Sequence, residues 1–178
     1  MISLRHCVVL GLAALAGCSP RASRTTSEAE FAVNASLDPA IRDKDIVFYE
    51  QRLREDPESA TDRARLGILY LSRARERGDY ADVQRAESLA AQSLDQREAH
   101  NTATWSLLAS ARLASHDFTG ALDAARRYVA SDTSSLTARA LLGEIHLEMG
   151  AYDEARAIFT SLERHTSQPS IAARLARW

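Results

Sequence analysis

Glu144-Ile145-His146-Leu147-Glu148 sets two carboxylates and an imidazole in one short stretch. Such side chains can ligate a divalent metal, which accepts carboxylate oxygens and imidazole nitrogens. On a helix the two glutamates share a face at i,i+4, whereas His146 points to another side. A metal would need a third ligand from a neighbouring helix, and no residue stands out as one. A solvated acidic face with an interhelical histidine is the simpler account. The other histidines are scattered: His6 lies near the N-terminus, His100 and His165 in expected inter-repeat loops, and His116 in an expected turn. No Gly-rich phosphate loop, HExxH or GxSxG is present. The serines fall on expected helices or in polar loops. The sequence thus names no catalytic residue, no metal ligand and no cofactor, and the expectation is a protein that is not an enzyme.

The remaining reactive groups are the thiols of Cys7 and Cys18, and no cysteine follows them. A disulfide framework or a cysteine metal site is therefore excluded from the rest of the chain. Arg5 and His6 form a short positive start, and Cys7 to Ala16 is a run of about ten apolar or small residues. That run is too short for a bilayer, which takes ~20 residues, and suits the apolar region of a signal peptide. It ends in Leu15-Ala16-Gly17-Cys18, which resembles the lipobox of bacterial lipoproteins. The resemblance implies that residues 1–17 are a signal peptide and that the Cys18 sulfur carries a diacylglyceryl group. Small residues at 16 and 17 fit a peptidase cleft, and the cysteine supplies the nucleophile. Two or three acyl chains anchor stably, since each buried CH₂ contributes ~0.8 kcal/mol. Ser19 rather than aspartate follows the cysteine. By resemblance to proteobacterial sorting, that implies the outer membrane facing the periplasm. Residues 18–42 read as a tether; as a coil its reach is ~25–30 Å, and Asp38-Pro39 near its end suits the start of a short helical turn.

The 178-residue chain is 26% charged with a formal net charge of −2. No basic excess points to nucleic acid. With 7 glycines and 4 prolines against abundant alanine, leucine, arginine and glutamate, the composition favours helices.

Those helices are organised as a repeat. Shifting the stretch from Thr102 by 34 residues brings Leu107 onto Leu141, Leu108 onto Leu142, Leu113 onto Leu147, Phe118 onto Tyr152 and Ala121 onto Ala155. The period and the residue types resemble the tetratricopeptide repeat. Trp105, Leu108, Ala109, Phe118 and Ala121 match its positions 4, 7, 8, 17 and 20; Leu142, Gly143, Tyr152, Ala155 and Phe159 match 7, 8, 17, 20 and 24. The resemblance implies an all-α solenoid of antiparallel helix pairs, A and B, with small residues where backbones approach. In the middle repeat Ala125 at 24 and Tyr128 at 27 exchange small for large, a swap that preserves volume.

It covers residues 43–178: an N-terminal helix over 43–56, an irregular repeat over 57–99, repeats over about 102–135 and 136–168, and a partial helix over 170–178. In the irregular repeat, 19 residues separate Gly67 from Ala86 instead of 12, so about seven are extra. The expectation is a longer helix A, a wider turn near Gly78-Asp79 and a longer start to helix B.

With no chemistry visible, the expected function is binding. In the family, helix A lines a concave groove. That implies groove residues Ile68, Leu71, Ser72, Ser106, Ser110, Leu113, Glu144, Leu147 and Glu148. For Leu71, Leu113 and Leu147, contact with neighbouring helices alone is an equal reading. Glu144 and Glu148 suggest a basic residue on the partner. The expected protein is an envelope scaffold whose partner is an unidentified envelope protein or peptide, reaching the membrane through its lipid anchor. By analogy it is alternatively a pilotin-like secretion factor, or the regulatory module of a cell-wall enzyme. Self-association through the C-terminal helix is a further possibility.

Overall fold

The computed structural model describes residues 38–178. Among them are eight α-helices: α1 (Pro39–Glu55), α2 (Ala60–Arg77), α3 (Tyr80–Gln96), α4 (Thr102–Ala114), α5 (Phe118–Ser131), α6 (Leu136–Glu148), α7 (Tyr152–Leu162) and α8 (Pro169–Arg177). Consecutive helices pack on one another from α1 to α7, and α2 on α4, α4 on α6 and α6 on α8 pack as well. That second set of contacts is the stacking of A helices expected of a solenoid of helix pairs. The pairs are α2/α3, α4/α5 and α6/α7, flanked by α1 and α8.

Local signals set the boundaries. The Asp38, Ser59, Asp79, Asp117 and Ser135 side chains each accept a hydrogen bond from a backbone N–H in the first turn of the helix that follows. Each satisfies a donor that the helix cannot. Pro39 and Pro169 open α1 and α8, where a missing N–H costs nothing. Asn101 makes no cap bond. Its side-chain amide donates instead to Ser93 Oγ at 3.0 Å and to the Arg97 carbonyl at 2.8 Å. Ser93 in turn donates to the Ala60 carbonyl at 2.7 Å. This buried polar string ties the end of α3 to the start of α2 and α4.

Two boundaries differ from the sequence reading. The first helix begins at Pro39, where the Asp38-Pro39 pair suits a helical turn; rather than part of the tether, that turn is continuous with the helix expected from residue 43. Its opening turn is held by Arg42, which is 2% exposed and pairs with Glu76 on α2. An arginine at a buried helical position is invisible to a search for apolar periodicity. The Gly78-Asp79 turn is also not widened. Gly78 takes a left-handed φ of 69° and closes α2, and Asp79 caps α3 at once. The extra residues lengthen the helices instead: α2 has 18 residues and α3 has 17, against 13 and 14 for α4 and α5.

The core divides in two. The larger part runs from Ile46 on α1 to Ile145 on α6. The smaller gathers Ala140, Ala155, Phe159, Leu162 and Ile171. Ala86, Ala90, Ala109, Ala121, Ala125 and Ala155 are all 0% exposed, so small side chains occupy the helix crossings. At Gly143 a Cβ would lie 3.0 Å from Ile158 Cγ2 and 3.1 Å from the Phe159 ring. At Gly67 it would lie 2.7 Å from Leu107 Cδ2. Both glycines permit an approach that any larger residue would resist. The middle repeat shows its exchange intact, with Ala125 at 0% and Tyr128 at 2% exposure.

Candidate functional site

A groove of about 370 Å³ opens on one face, and every residue lining it comes from α2, α4, α6 or α8. These are the A helices and the flanking helix in the A position. Arg75 comes from α2, Ser110 and Leu113 from α4, Leu141 and Glu144 from α6, and Arg174 and Arg177 from α8. The walls are thus aliphatic in the middle and charged at the rim.

Length explains how Arg75 reaches this face. Counted from Ala60, an α2 as short as the 13-residue α4 would end at Ser72. The extra turn carries Arg75 over the groove. Its side chain makes no hydrogen bond or ion pair with any described residue. Lost hydration pulls its pKa below the ordinary arginine value; the nearby Arg174 charge lowers it further and Glu144 partly offsets this. It remains a cation.

The acidic end is already occupied. Arg174 Nε donates to Glu144 Oε2 at 2.8 Å, and Arg177 pairs with both Glu144 and Glu148. The Glu144 side chain is 14% exposed, so its charge is not freely solvated, whereas Glu148 and Arg177 remain open to solvent. Below the pairs, Ile171 is 0% exposed in the smaller core, and Trp178 packs on Phe159 with ring centroids 5.6 Å apart. The basic residues that the sequence reading assigned to a partner come from the chain's own last helix. With both glutamates engaged this way, the two carboxylates of the Glu144–Glu148 stretch are salt-bridge acceptors. Among the described residues no three His, Cys, Asp or Glu side chains converge as a metal site.

Of the expected groove residues, Ser110, Leu113 and Glu144 line the cavity, and Glu148 sits at its rim through Arg177. Ile68, Leu71, Ser72, Ser106 and Leu147 are not part of the lining. Leu71 is 3% exposed and belongs to the larger core, because α1, α3 and α4 all pack against α2. Leu147 packs against the smaller core, and Ile68 against the larger. Cys18 lies outside the described residues.

Residues 112–177 match the family model of the tetratricopeptide repeat. The match starts within α4 and ends with α8, so α8 falls inside the tetratricopeptide pattern. Together with the stacked pairs, it makes the fold a tetratricopeptide-type solenoid. A search of curated proteins finds no match. Tetratricopeptide repeats point to a protein–protein interaction module, and proteins built from them are in general non-catalytic scaffolds. The groove is consistent with that: its polar groups are arginines, glutamates and serines held at a helical surface, with an aliphatic floor.

One polar centre off the groove escaped the sequence reading. Asp82 on α3 is 0% exposed. It accepts from Arg73 at 2.6 and 2.9 Å and from Arg85 at 2.7 Å. The two guanidiniums lie over the Tyr70 ring, at 5.0 and 5.5 Å from its centroid. The bond from Arg73 is the main reason the Asp82 carboxyl lies below the usual carboxylate range. This knot holds the lengthened α2/α3 pair together.

Proposed function

We propose that the protein is a lipid-anchored scaffold of the bacterial cell envelope that holds a partner peptide or helix in its concave groove. The observation that carries this reading is the groove itself, built entirely from A-position helices and open to a ligand. Leu15-Ala16-Gly17-Cys18 supports the anchor by its sequence. Among the described residues no helix is long and apolar enough to cross a membrane. Lipid on Cys18 would therefore supply the membrane attachment, and Ser19 favours the outer membrane facing the periplasm. Some twenty residues from Cys18 to Asp38 give the groove room to meet a partner away from the lipid surface.

Fractionation of cells tests the anchor. Wild-type protein should sediment with membranes and incorporate labelled fatty acid, and Cys18→Ala should do neither. Membrane retention of the Cys18→Ala variant would refute the lipobox reading.

A further inference from the structure

Charge around the groove is unbalanced. Three guanidiniums, from Arg75, Arg174 and Arg177, face two carboxylates, from Glu144 and Glu148. The carboxylates are taken by Arg174 and Arg177. Arg75 is left over, an exposed cation on the groove wall with no hydrogen-bond or ion-pair partner among the described residues. A cation so placed, in a groove whose own carboxylates are taken, is open to an anion that enters the groove.

We propose that the groove selects an acidic segment of its partner protein, with a glutamate or aspartate carboxylate held by the Arg75 guanidinium. This rests on the reading of the groove as a peptide site and reverses the charge that the sequence implied for the ligand. Leu113 and Leu141 offer an aliphatic floor beside the cation. The Ser110 hydroxyl, on the α4 wall, is a donor within the same groove. An acidic residue next to a small apolar one therefore suits the site. A basic segment would have to displace Arg174 and Arg177 from Glu144 and Glu148 while leaving Arg75 unpaired. α8 thus acts as a charge filter: it neutralises the acidic end and leaves a net positive groove.

Random peptides displayed on phage and selected against the detergent-solubilised full chain provide the test. Ser110→Trp, which fills the groove, serves as the counter-selection. A selected peptide is then synthesised with each acidic residue present and with glutamine in its place. The expected result is enrichment of Asp or Glu in groove-dependent peptides. The glutamine peptide should bind wild type roughly tenfold more weakly or worse. Arg75→Gln should bind both peptides equally, with an unchanged melting temperature, because Arg75 contacts no described partner. Groove-dependent peptides that are neutral or basic would overturn this inference and leave the peptide-site reading standing. No groove-dependent peptides at all would overturn both.

Discussion

Asp82 is a carboxylate committed to the interior between two helices, and its neighbours decide what it does. Arg73, with its side chain 18% exposed, would be left buried and unpaired without it. Asp82→Ala should therefore destabilise the fold by about 3–5 kcal/mol, measured by denaturant unfolding. The pH dependence has a definite sign. Because the folded carboxyl titrates below its unfolded value of about 3.9, its contribution is complete above that value. It is lost as pH falls through the lower folded value, and Asp82→Asn should flatten that part of the acid profile. Tyr70 gives the alkaline counterpart. Burial, then the hydrogen bond to Glu50, raises its pKa to about 12. Its contribution is complete below about pH 10 and declines as pH rises toward 12. Tyr70 is legible as a repeat position of α2, but Asp82 is not, since in the sequence it looks like one more charge in an acidic and basic stretch. Its partner Arg73 lies nine residues away across a turn, a distance at which pattern carries no information about pairing.

Among the helices, the repeated ones were the most legible. Gly143 and Ala121 stand at repeat positions for small residues, and the structure gives both no spare room. Gly143→Leu or Ala121→Leu should overpack a helix pair and lower stability by about 1–3 kcal/mol in thermal or denaturant unfolding. The flanking helices were harder to read, for two reasons. α1 holds its first turn by Arg42 and Glu76, 34 residues apart, rather than by an apolar stripe. α8 is nine residues long, too short to set up a period of its own, and its arginines find their acceptors on α6. Glu144→Gln removes the negative charge shared by Arg174 and Arg177 and turns one of their two acceptor oxygens into a donor. It should speed amide hydrogen exchange in α8 while leaving exchange in α2 and α3 unchanged. The inserted residues lie in both helices of the pair, as the spacing implied, but not in the turn between them. Gly78, free to take a left-handed conformation, kept the turn tight and passed the length into the helices.

At the scale of the whole molecule, stacking of three helix pairs and the last helix lines up α2, α4, α6 and α8 along one groove. No single pair could form that groove, since its lining draws on four helices spread from Arg75 to Arg177. The sequence indicated which helices would face it, but not that the last helix would close its acidic end. The central claim is that this face, and not the outer one, meets the partner. A photo-cross-linking amino acid placed at Ser110 in the groove, or at exposed Thr160 on α7, tests it in intact cells. The account predicts a discrete cross-linked species from Ser110, absent from Thr160 and weakened by Arg75→Gln. Equal capture from both positions, or capture from Thr160 alone, would contradict it.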